Sequence, residues 1–68
     1  MPLTIETEQE DDGRWIAEVP ELAGVLVYGA TEAEAIRRAQ ALALRVLADR
    51  LEHGEDVPAG TAMFRVAA

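Results

Sequence analysis

One segment of this chain is long enough to be a helix, and the sequence marks both of its ends. Thr31-Glu32-Ala33-Glu34 is a capping box. The Thr31 hydroxyl accepts from the amide of Glu34, and the Glu34 carboxylate reaches back toward the cap. Gly54 is the stop, just after His53, because glycine enters left-handed backbone freely. Glu32 and Glu34 suit the positive end of the helix dipole, and Arg50 and His53 suit the negative end. A helix from Thr31 to about His53 takes so much of the 68 residues that only short runs remain on either side.

Those short runs read as strands. Leu3 to Glu8 alternates, with Leu3, Ile5 and Thr7 on one face and Thr4, Glu6 and Glu8 on the other. Glu10-Asp11-Asp12-Gly13 is a hairpin signal, since the turn needs a residue that tolerates positive φ. Arg14 to Val19 alternates again, with Trp15, Ala17 and Val19 sharing a face and Arg14, Ile16 and Glu18 opposite. Pro20 lacks an amide proton and ends the strand, so Pro20 to Gly24 is a loop. Val25 to Tyr28 is a third strand, with either Val25 and Val27 or Leu26 and Tyr28 facing inward. Glu55 to Gly60 is a second loop, and Thr61 to Val66 is the last strand.

The order β-β-β-α-β predicts one α+β domain over residues 1–68. Three strands form an antiparallel meander. A right-handed crossover through the helix lays the last strand parallel to the first. The sheet is then four-stranded and mixed, in order 3-2-1-4, with the helix on one face. The inner face is expected to carry Leu3, Ile5, Trp15, Ala17, Val19, Phe64 and Val66. The helix contributes Ile36, Ala39, Leu42, Ala43, Val46 and Leu47 to the core. With Leu44 and Leu51 its apolar arc spans about 200°, wider than one covered face requires. The surplus flank of Leu44, Ala48 and Leu51 is the candidate self-association surface. The uncovered sheet face carries Glu6, Glu8, Ile16, Glu18, Met63 and Arg65, a mixed apolar and acidic surface suited to a partner.

Composition narrows the chemistry. With no cysteine, disulfides and thiolate metal sites are excluded. A domain this small is marginally stable alone, so homo-oligomerisation is the expected support. Thirteen acids against six arginines give a formal charge of −7, which repels nucleic-acid phosphate and attracts a basic protein. No apolar run reaches the roughly 20 residues of a membrane span. The opening residues lack the pattern of a secretory leader, so a cytoplasmic location is expected. Serine and cysteine nucleophiles are absent, and the single histidine, His53, sits at a helix end. No glycine pattern cradles a phosphate or dinucleotide, and no cofactor is expected. Glu6, Glu8 and Glu18, with Asp11 and Asp12 at the hairpin tip, are carboxylates that could hold Mg²⁺, although a solvated acidic face explains them more simply.

The stretch Asp12-Gly13-Arg14-Trp15-Ile16-Ala17-Glu18-Val19-Pro20-Glu21-Leu22-Ala23-Gly24, followed by Tyr28-Gly29-Ala30-Thr31-Glu32-Ala33-Glu34-Ala35, resembles the HicB-like antitoxin domain. The resemblance covers about residues 3 to 66. It rests on an aromatic strand, a Pro-acid-Leu-x-Gly loop, and a Gly, Thr and Glu-Ala opening to the helix. Ala23 stands where the family usually has proline.

The resemblance implies a partial ribonuclease-H-like fold, which matches the order derived above. It also implies a non-enzymatic protein-binding role in a toxin–antitoxin system: neutralising a small, basic, RNA-cleaving HicA-like toxin. Glu6, Glu8 and Glu18 are the candidate toxin-binding face. The DNA-binding segment of many full antitoxins has no counterpart in residues 1–68, so direct nucleic-acid binding by this chain is not expected. Two other readings stay open: an orphan oligomeric regulatory domain without a toxin, and a metal-dependent nuclease built on the three glutamates.

Overall fold

The computed structural model describes residues 3–55 and 64–67. Its elements are β1 (Leu3–Gln9), β2 (Trp15–Glu18), β3 (Leu26–Gly29), α1 (Glu32–Glu52) and β4 (Phe64–Ala67). They form one mixed sheet in the order β3-β2-β1-β4. β1–β2 and β2–β3 are antiparallel, and β1–β4 is parallel. The β-β-β-α-β arrangement and strand order are those that turn chemistry and crossover handedness predict. The expected beginning of the last strand, Thr61 to Met63, lies outside the described residues, as does most of the second loop.

Local chemistry explains each junction. At the hairpin, the Gly13 amide donates to the Glu10 carbonyl at 2.9 Å, and the Glu10 amide donates to the Arg14 carbonyl at 2.7 Å. Gly13 has φ +92°. A three-residue loop, Asp11 to Gly13, that ends in a left-handed glycine is the bulged form of hairpin. The β1–β2 ladder ends at the Glu6–Glu18 pair, just before Pro20 removes the next donor. Beyond that end, the Thr4 amide donates to the Glu21 carboxylate at 3.1 and 3.2 Å.

The helix is capped at both ends. Thr31 Oγ1 accepts from the Glu34 amide at 3.1 Å. The Glu34 carboxylate accepts from the Ala30 amide at 2.8 Å, one residue before the cap. At the other end the Gly54 amide donates to the Leu51 carbonyl and the Glu55 amide to the Arg50 carbonyl. This paired arrangement needs left-handed backbone at Gly54, which has φ +74°. Thr31→Ala is expected to cost about 1 kcal/mol, read as a lower urea midpoint at unchanged slope.

Leu3, Ile5, Ala17, Val19, Leu22, Val25, Ala35, Ala39, Ala43 and Leu47 form the buried core. Trp15, Val27, Ile36, Leu42 and Val46 pack around it, half-buried. The centre of the helix stripe is thus an alanine ridge, and the larger residues expected there lie at its flanks. Val25 and Val27 face inward, which leaves Leu26 and Tyr28 on the outer face.

Val66 departs from expectation. It pairs with Ile5 on the inner face, yet it is 49% exposed. The helix packs on β3, β2 and β1 and barely reaches β4. A helix about 10 Å wide covers two to three strands spaced about 4.8 Å apart, and the fourth strand is left over. The Phe64 backbone pairs with Leu3; its side chain lies outside the described part.

Candidate functional site

The sheet face away from the helix is uncovered among the described residues. Strand register sets its side chains in rows. Tyr28, Ile16 and Glu8 form one row, and Leu26, Glu18, Glu6 and Ala67 form the next. Thr4 and Arg65 follow at the lower end of β1 and β4. The face therefore grades from apolar at β3 to acidic at β1. Leu26 is 46% and Tyr28 40% exposed, and Ile16 is half-buried between Tyr28 and Glu8.

All three sequence-selected carboxylates lie on this face, and all three are exposed. Glu6 stands directly opposite Glu18. Like charges in that position destabilise a sheet by a few tenths of a kcal/mol or more. Among the described residues, no cation lies within ion-pair distance of Glu6, Glu8 or Glu18; the pairs formed are Arg14–Asp12, Arg38–Glu34 and His53–Asp49. The sheet thus holds an uncompensated repulsion at its centre, beside exposed apolar side chains.

One cation near the face, Arg14, is already engaged. The Arg14 guanidinium lies 4.7 Å from the Tyr28 ring centroid and is held by Asp12 at 2.8 Å. The Arg14 amide also donates to Asp12 at 3.1 Å. These two hydrogen bonds, backbone first, hold the Asp12 carboxyl below its ordinary range. Arg65 lies close enough to Glu21 to favour its ionised form. Slight desolvation works against ionisation at the exposed Glu21 carboxyl, but hydrogen bonds from its own amide and from Thr4, together with Arg65, outweigh it and lower its pKa.

The alternation of β1 and β2 locates the acidic part of the face. Leu26 and Tyr28 belong to it too, and the uniformly apolar sequence of β3 could not show on which side they fall.

The three glutamates do not form a metal site. Among the described residues, no three His, Cys, Asp or Glu side chains are placed to hold a metal ion. Glu6 and Glu8 are one strand repeat apart, about 6.6 Å along the backbone, and Glu8 faces Ile16 rather than a third carboxylate.

The candidate self-association residues Leu44, Ala48 and Leu51 lie on the helix, away from this face, and all three are exposed. No described helix is long and apolar enough to cross a membrane. Comparison with protein-family models, curated proteins and solved structures finds no match to this chain, so its own geometry is what bears on function.

Proposed function

We propose that this chain is a non-catalytic protein-binding module that uses its outer sheet face to hold a small basic protein. The observation that carries this reading is the Glu6–Glu18 pair, unneutralised beside Glu8, Ile16, Leu26 and Tyr28. A basic partner relieves that repulsion and covers the apolar half of the face, and the formal charge of −7 speeds the encounter. The resemblance to HicB-like antitoxins, partial ribonuclease-H-like fold included, gives the partner a class: a HicA-like RNA-cleaving toxin, neutralised in the cytoplasm.

The test is to add the purified chain to a HicA-like toxin in an RNA-cleavage assay, with calorimetry alongside. Stoichiometric inhibition is expected, with affinity that falls as salt rises. Glu6→Lys with Glu18→Lys is expected to weaken binding at least 30-fold, because both changes put cations where the partner's cations sit. A toxin that keeps full activity at excess chain would sink the antitoxin reading.

The exposed leucines of the helix support a second reading, an orphan regulatory domain whose main contact is with itself. A tagged pull-down from the source cells separates the two. Co-purification of a small basic protein in near-equal amount supports the first reading, and recovery of this chain alone supports the second.

A further inference from the structure

The solvent side of α1 carries a second surface, independent of the sheet face. Ala41, Leu44, Ala48 and Leu51 are all exposed, Leu44 to 48% and Leu51 to 62%. They recur in steps of three and four, the spacing that keeps a seam on one side of a helix. The core-facing ridge of Ala35, Ala39, Ala43 and Leu47 points elsewhere. The alternation of small and large residues along this outer seam has a direction.

We propose that this seam pairs with the same seam of a second copy, with the two helices antiparallel. In that alignment Leu44 of one copy meets Ala48 of the other, and Leu51 meets Ala41. Each large side chain faces a small one in every layer, so the helices approach closely without a gap. A parallel pair instead sets Leu44 on Leu44 and alanine on alanine, leaving layers alternately crowded and hollow.

Charge at the seam's ends selects the same direction. Arg37 continues the seam toward the N-terminus, is exposed, and makes no ion pair among the described residues. The antiparallel pair brings Arg37 beside the other copy's helix C-terminus. There Glu52 and Glu55 are exposed, and the helix dipole is negative. The contact occurs twice by symmetry. A parallel pair sets Arg37 against Arg37. The seam is short against the roughly 800 Å² per partner of a standard interface, so the dimer forms with a dissociation constant on the order of 10–100 μM.

Sedimentation equilibrium of the full chain from about 1 to 500 μM measures this directly. A monomer–dimer equilibrium is expected. Leu51→Glu is expected to abolish it over that range, and Arg37→Glu to weaken it three- to tenfold, roughly the effect of two exposed ion pairs. Circular dichroism checks that both variants keep their helix.

Direction is read by disulfide trapping, which the absence of native cysteine makes clean. Mixed Ala41→Cys and Leu51→Cys proteins are expected to cross-link with each other. Ala41→Cys alone is not, because its two sulfurs stand about 15 Å apart along the antiparallel pair. A disulfide of Ala41→Cys with itself would overturn the antiparallel arrangement. A clean monomer at 500 μM, or a Leu51→Glu variant that associates as well as the parent, would overturn the seam itself.

Discussion

Gly29→Ala is expected to destabilise the domain by about 3 kcal/mol or more. Strand alternation points position 29 toward the helix. A Cβ placed there would stand 2.5 Å from the Ala35 amide nitrogen, 2.9 Å from the Ala35 Cα and 3.1 Å from the Glu34 carbonyl carbon. All three are backbone atoms of the helix's first turns, so no side chain can swing aside. Relief requires moving the helix, which carries the alanine ridge and the Thr31 cap with it. A domain of 68 residues has roughly 3–10 kcal/mol of stability in all, so this change removes a large part of it. Urea unfolding followed by circular dichroism is the measurement, with the variant expected to be partly unfolded before denaturant is added. A loss below about 0.5 kcal/mol would mean that the helix sits on β3 with slack the structure does not have.

Leu22→Ala is the second large effect, at about 3 kcal/mol. Leu22 belongs to the loop between β2 and β3, yet it is 1% exposed and lies in the buried cluster. Two turns deliver it there. The Leu22 amide donates to the Val19 carbonyl at 3.0 Å, and the Val25 amide donates to the Leu22 carbonyl at 3.2 Å. The Val19 amide meanwhile reaches the Val25 carbonyl at 3.0 Å, continuing the β2–β3 ladder across the base of the loop. The loop is therefore a plug as well as a connection. For a domain this small, thermal unfolding should shift down by about 12–24 °C. Leu22→Met keeps most of the volume and is expected to cost under about 1.5 kcal/mol. If both variants lost the same stability, turn geometry rather than packing would be the role of this residue.

Much of the architecture is legible in residue order, because the signals that carry it are local. Gly13 needs only its own φ to mark the hairpin, and Pro20 needs only its missing proton to end β2. Thr31, Glu34 and Gly54 bracket the helix through contacts within one turn. The strand order then follows from connection handedness. The acidic half of the outer face is equally legible, since alternation alone puts Glu6, Glu8 and Glu18 on one side.

What was not legible depends on distance between elements. Val25-Leu26-Val27-Tyr28 has no polar partner to betray its inner side, so only its pairing with β2 sends Leu26 and Tyr28 outward. The helix stripe holds larger residues than its alanines, and by hydrophobicity those belong at the centre. The close approach of Ala35 to Gly29 reverses this, because only small side chains fit where two backbones nearly touch. Val66 alternates correctly and faces inward, yet it remains exposed, because one helix is narrower than four strands.

The sequence by itself determined the elements, their ends and their order, since each rests on backbone chemistry within a few residues. Only the tertiary structure decided which side chains are core, which face outward and which must stay small, since those depend on how closely the helix sits on the sheet and how far across it the helix reaches.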